Sequence, residues 1–314
     1  MATYPLALIF PPLARFRKWL PLTRDQVMLL MAAVNEIFMG LDTILAHGMS
    51  GTIRGGEWIP IFFGPAAGIV LLAAGLLALR RRAAATRLAT LVFLASIAVG
   101  VLGTYYHLHR AVLPAAPFGQ EVILDLFFWA PPVLAPLAFA LVGMLGLSAA
   151  WIEAPVNSGR LMLSERRRLQ MPYSKTRAYL FMVSAGILIT LISSALDHAR
   201  TGFRNPWLWL PLASSVFALV VILGISFEAQ PSRSDWLTYA GALVLMGVVG
   251  IVGAGLHVGV DLTHQNTIVI ERFLRGAPLL APLLFTNMGM LGAVVLLDPE
   301  EGEPWSLKKR SQTT

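Results

Sequence analysis

The chain has 314 residues, of which 56% are hydrophobic and only 13% are charged. A soluble globular domain has about 25% charged residues, so this composition excludes a soluble enzyme and a disordered chain. Long apolar runs also exclude an outer-membrane barrel, whose strands are short and alternating. The chain has no cysteine, which excludes disulfides, cysteine-ligated iron–sulfur clusters, thiolate zinc sites and covalent haem attachment. The sequence therefore predicts a polytopic helical membrane protein.

An amphipathic segment precedes the apolar part of the chain. Residues 1–26 carry basic side chains, and Pro11 and Pro12 interrupt their apolar stretch. No small-residue cleavage site follows, so we interpret this segment as a retained cytoplasmic lead-in. Eight stretches then follow, each long enough to cross about 30 Å of hydrocarbon as a helix. The predicted spans are residues 27–47, 58–79, 88–108, 122–148, 178–198, 206–226, 236–260 and 276–297.

The predicted fold is an all-α integral membrane protein with eight transmembrane helices in two tandem four-helix bundles. The first four-helix repeat covers residues 27–150 and the second covers residues 178–297. A basic cytoplasmic segment, residues 151–177, separates them and is expected to form a short interfacial helix or a docking surface. Residues 298–314 are interpreted as an exposed cytoplasmic tail.

The basic residues predict the orientation. With the N-terminus inside, 18 of the 24 Lys and Arg residues fall in the inner segments, as the positive-inside rule requires. Both termini are therefore predicted to be cytoplasmic, in a membrane that we expect to be the bacterial inner membrane. Topology and lipid headgroups account for the basic clusters, so we expect the bilayer as a partner and no nucleic acid.

The two halves match each other at nearly constant offsets, which indicates an internal duplication. His47, Trp58 and Pro60 match residues 151 positions later, and Gly100, Gly103 and His107 match residues 150 positions later. The runs Ala-Pro-Leu and Gly-Met-Leu-Gly of the fourth span recur 146 positions later in the eighth. Since each unit has four helices, the halves have the same orientation and an axis along the membrane normal is expected to relate them.

All six histidines fall at the predicted outer ends of odd-numbered spans. Four of them form duplicated pairs at a common depth, about 30 Å from the cytoplasmic start of their spans. In an up-down bundle the first and third helices face each other across the core. We therefore predict His47 with His107 and His198 with His257 as the ligands of a cofactor or metal. The alternative is that these histidines, like His109, are interfacial or structural hydrogen bonders.

Acidic residues accompany these histidines. Glu36 lies on the His47 face of its helix, and Asp261 and His264 follow His257 at helical spacing. Ionisable residues inside a membrane span are costly and by default indicate function. Glu36, Asp261 and His264 are therefore the candidate additional metal ligands.

Three kinds of site fit this pattern. Bis-histidine ligation from alternate helices suits haem b, one per half, with the glycines before His107 and His257 admitting the macrocycle. Imidazole with carboxylate suits a copper, iron or zinc centre, which the two halves would share. Histidine and carboxylate also suit a quinone site that takes up protons as quinol is oxidised.

We therefore expect a membrane redox protein with a haem b or metal centre near the outer face. A protein partner or oligomer is expected, as in a subunit of a respiratory or electron-transfer complex. In architecture only, the two bundles are similar to the membrane anchors of polysulfide-reductase-type respiratory complexes, which implies a quinol-interacting anchor as an alternative. A transporter built from an internal repeat is a further alternative, because prolines interrupt the fourth and eighth spans.

Overall fold

The computed structural model describes residue 9, residues 22–49, 53–112, 132–164, 167–262 and 267–297, and residue 299. Most of the described residues are helical. In chain order the α-helices are α1 (Arg24–Met49), α2 (Trp58–Ala78), α3 (Arg82–Val112), α4 (Leu137–Ala150), α5 (Lys175–Ala199), α6 (Trp209–Phe227), α7 (Arg233–Asp261), α8 (Ile270–Arg275) and α9 (Leu280–Val295). Most of the predicted lead-in and nearly all of the predicted tail lie outside the described residues.

Six helices in the described ranges are long and apolar enough to cross a membrane, namely α1, α2, α3, α5, α6 and α7. Their length and composition are those of an integral membrane protein. The helices α4 and α9 are also apolar but have only 14 and 16 residues. At 1.5 Å per residue they are about 21 and 24 Å long, which is less than the hydrocarbon thickness of about 30 Å.

Prolines lie near the starts of α4 and α9, which fall within the spans predicted at 122–148 and 276–297. Residues 133–136 form turns, and α4 begins directly after Pro136. The helix α9 begins two residues after Pro278, with Pro282 in its first turn. Proline lacks a backbone N–H group and is favoured in the first turn of a helix. Residues 276–279 of the span predicted at 276–297 are accordingly not helical, whereas residues 122–131 of the span predicted at 122–148 lie outside the described residues.

The helices pack in two groups with the same order of contacts. In the first half, α1 packs on α2, α2 on α3, α3 on α4, and α4 returns to α1. In the second half, α5, α6, α7 and α9 repeat this sequence of contacts. A 3-10 turn also precedes the second helix of each half, at Gly55–Glu57 and at Pro206–Leu208. Each half is thus a closed ring of four helices.

Glycines allow the third and fourth helices of each half to cross closely. A Cβ atom added to Gly100 would lie 2.9 Å from the carbonyl oxygen of Pro136, and one added to Gly250 would lie 2.8 Å from that of Pro282. Real Cβ atoms do not approach other atoms so closely, so neither position accepts a side chain without movement of the backbone. The same crossing therefore occurs at equivalent residues of the two halves.

The halves contact each other through their first and fourth helices. The helix α4 packs on α5, and α9 packs on α1. Leu145 of α4, Tyr179 of α5 and Met28 of α1 are fully buried in a core that continues into the second half. Burial of these apolar side chains joins the two rings into one body.

The segment between the halves contains β-structure, which the all-α prediction missed. Strands β1 (Ile152–Glu153), β2 (Arg160–Met162) and β3 (Arg168–Gln170) form an antiparallel sheet in the order β1-β2-β3. The turn between β1 and β2 contains Asn157 and Gly159 with positive φ angles of 62° and 70°. Asparagine and glycine tolerate this left-handed conformation, which favours a reverse turn over the interfacial helix.

Candidate functional site

The described histidines lie at one end of the helix rings, which we call the histidine end. His47 of α1 and His107 of α3 come from diagonal helices of the first half, and their ring centroids are 6.1 Å apart. Their ring planes are inclined by 48°. Both side chains are half-buried. The structure thus brings together the pair that the sequence predicted.

His107 and His257 make the same contact in the two halves. His107 Nδ1 lies 2.9 Å from the carbonyl oxygen of Pro132, and His257 Nδ1 lies 2.9 Å from that of Pro278. A carbonyl oxygen only accepts hydrogen bonds, so Nδ1 is the donor in each ring. In the neutral tautomer Nε2 then carries the lone pair, which is the nitrogen that can bind a metal.

His198 is the partner predicted for His257. His257 lies close enough to His198 to interact with it electrostatically. His198 Nδ1 lies 3.3 Å from the Ser194 hydroxyl oxygen, one turn earlier in α5. Its ring also contacts Phe203, which stacks on Trp209 at a centroid distance of 4.5 Å. The structure therefore places His198 near His257, with Phe203 and Trp209 on the His198 side.

His47 has an acidic neighbour at a position where the second half has leucine, whereas the acidic neighbour of His198 is Asp197. His47 Nδ1 lies 3.9 Å from Glu57 Oε2, at the start of α2. The residue 151 positions after Glu57 is Leu208. A carboxylate beside a histidine orients the ring and increases its basicity. The two histidine pairs therefore differ in their polar surroundings.

Four of the glycines near the histidines line helix crossings. Gly100 and Gly103 pack against Pro136, and Gly250 and Gly253 pack against Pro282. A macrocycle held by the histidines would therefore not lie against these four glycines. Gly255 is different, because an added Cβ atom there would meet nothing within 4 Å.

Glu36 and Asp261, two of the candidate additional ligands, have hydrogen-bond partners other than the histidines. Among the described residues, no group of three or more His, Asp or Glu side chains could hold a metal ion. Glu36 contacts Ser96, and Asp261 accepts a hydrogen bond of 2.9 Å from the Ala277 amide. His264 lies outside the described residues. His109 is exposed and its ring contacts Tyr105.

Glu36 forms a separate polar group in the core of the first half. Its side chain is fully buried. The Ser96 hydroxyl oxygen lies 2.5 Å from Glu36 Oε1 and 2.8 Å from the carbonyl oxygen of Phe139. This group connects α1, α3 and α4, and lies about 16 Å along α1 from His47.

Asp261 lines a cavity at the histidine end of the second half. The cavity has a volume of about 380 Å³, and Glu271 and Arg272 also line it. Asp261 is 2% exposed, and its Oδ2 atom has no hydrogen-bond partner among the described residues. The Arg272 guanidinium instead donates to the carbonyl oxygen of Val260. Asp261 therefore belongs to the wall of this space, while its Oδ2 atom is itself buried.

The opposite end of the rings carries a buried ionic group that sequence reasoning missed. Arg24 and Asp25 begin α1, Lys175 and Tyr179 begin α5, and Glu153 belongs to β1. All five side chains are buried, and we call them the loop-end cluster. Arg24 and Lys175 were interpreted as headgroup contacts, and the structure shows that this is wrong. The sequence did contain a signal for this cluster, because Lys175 lies 151 positions after Arg24, which is the offset that relates the two halves.

The loop-end cluster joins the two halves by hydrogen bonds. Lys175 Nζ donates to Asp25 Oδ2 at 2.6 Å and also to the carbonyl oxygen of Trp151. The Tyr179 hydroxyl donates to Asp25 Oδ1 at 2.9 Å. Glu153 accepts the Lys175 amide at 3.0 Å. The cluster contains two cations, Arg24 and Lys175, and two carboxylates, those of Asp25 and Glu153. Its charges therefore compensate each other away from solvent.

Tryptophans mark the histidine end in both halves. Trp58 begins α2 and Trp209 begins α6, and the two side chains are 40% and 55% exposed. Tryptophan is enriched where a membrane meets water. These positions fit an interfacial level for the histidine end.

No protein-family model, no curated protein and no solved structure matches this chain. What the chain does is therefore inferred from its own residues.

Proposed function

We propose that this chain is a membrane electron-transfer protein that binds two haem b groups, one in each half. His47 and His107 would hold the haem of the first half, and His198 and His257 would hold that of the second. The observation that carries the proposal is the facing pair of imidazoles in the first half, together with the repeat of the His107 contact at His257.

The ring separation supports ligation of one metal ion by two histidines. Two imidazoles that bind a metal from opposite sides, each at about 2.0–2.1 Å, have ring centroids about 6 Å apart. The His47 and His107 centroids are 6.1 Å apart. This separation fits a pair of axial ligands, with the metal ion between the rings.

The hydrogen bonds to the proline carbonyl groups support the same role. Histidines that bind a metal almost always donate their other ring N–H group to a carbonyl or carboxylate, which fixes the tautomer. His107 and His257 make this contact with Pro132 and Pro278. Pro132, which precedes α4, and Pro278, which precedes α9, thus supply the carbonyl oxygens that accept these hydrogen bonds.

The number of ligands favours haem over a non-haem centre. A copper, iron or zinc ion bound by protein alone needs three or more side chains, and the described residues supply no such group. Haem needs two, because the porphyrin supplies the other four donors. When bound, haem would carry one electron per group between the ferric and ferrous states.

We further propose that all eight predicted spans cross or enter the membrane as two duplicated four-helix bundles. The repeated contact order of the rings supports this, as do the equivalent crossings at Gly100 and Gly250. The histidine end would face outward and both termini inward, in a bacterial inner membrane. An electron partner would then dock at the histidine end.

Oxidation of a quinol is the second candidate function, and the cavity lined by Asp261 favours it. A quinol hydroxyl group donates a hydrogen bond, and a carboxyl group in the cavity wall, such as that of Asp261, could accept one. The cavity lies one helical turn beyond His257. In this arrangement Asp261 would take up a proton from the quinol hydroxyl group.

An optical spectrum of the purified protein tests the haem proposal. We expect a Soret band, α and β bands that sharpen on reduction, and two haems per chain by extraction. Metal analysis should give iron at the same ratio. Purified, folded protein that contains no haem and binds none when haemin is added would overturn the proposal.

A further inference from the structure

A carboxyl group is enclosed in the middle of the first half. Glu36 is 0% exposed, although it lies in the middle of α1, 12 residues from the start of the helix. The backbone of α2 packs closely on that of α1 at this level, because a Cβ atom on Gly64 would lie 2.5 Å from the Glu36 carbonyl oxygen. Ser96 of α3 and Phe139 of α4 form the other walls. All four helices of the half therefore meet at this level.

The hydrogen bonds at Ser96 determine where a proton must lie. The Ser96 hydroxyl group has one proton, but its oxygen is close to two acceptors, Glu36 Oε1 and the Phe139 carbonyl oxygen. If Glu36 were a carboxylate, Ser96 could satisfy only one of them. If Glu36 is a carboxylic acid, it donates to Ser96, and Ser96 donates to Phe139. The protonated form therefore satisfies both short contacts.

The surroundings of Glu36 oppose a negative charge. In the described part of the chain, no hydrogen-bond partner contacts Oε2. No Lys, Arg or His among the described residues forms an ion pair with this carboxyl group. An unpaired ionised carboxylate in an apolar core is so costly that the group binds a proton instead.

We propose that Glu36 is a proton-binding site of the first half: it holds a proton in the resting protein and donates a hydrogen bond to Ser96. The ligand of this site is a single proton, which is bound in the interior of the bundle. Intramembrane carboxyl groups of this kind are the elements from which proton relays are built. The proposal does not depend on the presence of haem.

The second half lacks this site, which argues against a general structural need for it. The residues that correspond to Glu36 and Ser96 by the repeat offsets are Ile187 and Met246. Both are fully buried and apolar. The same four-helix ring therefore packs at this level without an ionisable group, although the buried Ser215 hydroxyl donates to Met246 Sδ there. Packing of the ring thus does not require a carboxyl group.

Infrared spectroscopy of the full-length protein in lipid tests the proposal. The carbonyl stretching band of a protonated carboxyl group is separate from the bands of carboxylates, and it shifts in D₂O. We expect wild-type protein at neutral pH to show one such band that is lost in Glu36→Gln. Labelling with ¹³C-glutamate should shift this band, which separates it from aspartate bands. Ser96→Ala should retain the band at a different frequency.

The variants include their own controls. The side-chain amide introduced by Glu36→Gln can donate to Ser96 in place of the acid, so this variant should keep the fold, which circular dichroism checks. Asp42→Asn, in the same helix but at an exposed position, should leave the labelled band unchanged. If Glu36→Gln instead removes carboxylate bands, or leaves the protonated band of wild type intact, the proposal is wrong. Neither result depends on haem content.

Discussion

The two halves of the chain agree in how their helices cross and differ in what they bury. Both have the same ring of contacts, the same glycine–proline crossing and the same bond from histidine to a proline carbonyl group. At the level of Glu36 and Ser96, however, the second half has Ile187 and Met246. Features common to both halves are those that the fold or a duplicated site requires. Features present in one half point to a task that only that half performs.

The largest expected effect tests the shared site. His107→Ala should remove the haem of the first half and His257→Ala that of the second, so each variant should retain about one of two haems. The double variant should retain none, since each ring supplies an axial ligand. Haem content per chain, measured from the absorption spectrum, checks this. His109→Ala is the matched control and should bind both haems.

The outcome also decides how the halves cooperate. If either single substitution empties both positions, the centre is shared between the halves and the proposal of one haem per half is wrong. If all variants keep full haem content, the histidines are structural hydrogen bonders.

The next effect concerns the connection between the halves. Lys175→Met should lower the free energy of unfolding by about 3–5 kcal/mol, because it leaves Asp25 in the interface without its main cation. Unfolding by a denaturing detergent, followed by circular dichroism, measures this change. Arg168→Met, which alters an exposed side chain of β3, should change stability by less than about 0.5 kcal/mol.

A double variant separates the pair from its surroundings. If Lys175 acts mainly through Asp25, Asp25→Leu with Lys175→Met should be less destabilised than the sum of the single variants. Strictly additive losses would mean that the two side chains stabilise the protein independently.

A third effect tests whether the helix crossings are equivalent. Gly100→Ala and Gly250→Ala should each destabilise the protein by about 1–3 kcal/mol, because the added methyl group forces the paired helices apart. The nearest backbone nitrogens, of Ala140 and Thr286, would lie 2.5 and 2.6 Å from the new atoms. Thermal unfolding should show similar losses in both variants. A loss confined to one half would contradict the equivalence.

Two glycines without neighbours are controls for this series. Gly75 in α2 and Gly255 in α7 have nothing within 4 Å of an added Cβ atom. Alanine is a better helix former than glycine, so Gly75→Ala and Gly255→Ala should be neutral or slightly stabilising.

Helix positions and the histidine pairs were predictable because they depend on periodicity and spacing. Apolar length predicted the six long helices, and equal offsets in both halves predicted that His47 would face His107. These patterns are local or repeat along the chain, so a single sequence contains them. The start of α9 after Pro278 was also visible in the sequence, because proline is favoured at the beginning of a helix.

The burial of charged residues was not predictable in the same way. In the sequence, Arg24 and Lys175 look like ordinary interfacial cations. In the fold, Asp25 accepts hydrogen bonds from Lys175 and Tyr179, which belong to another helix. Glu36 was recognised as unusual, but its partner, Ser96, is 60 residues away. Such contacts depend on helix rotation and packing, which a single sequence does not specify.

The smallest expected effect transfers the core of the second half into the first. The double variant Glu36→Ile with Ser96→Met installs the residues found at Ile187 and Met246, in a ring with the same helix contacts. Replacing a buried polar pair by apolar side chains is often neutral when the volumes fit. We therefore expect a stability change below about 1.5 kcal/mol and unchanged haem content, with loss of the protonated carboxyl band. A loss of several kcal/mol would show that the carboxyl group holds the first half together, and the difference between the halves would then be one of packing and not of proton binding.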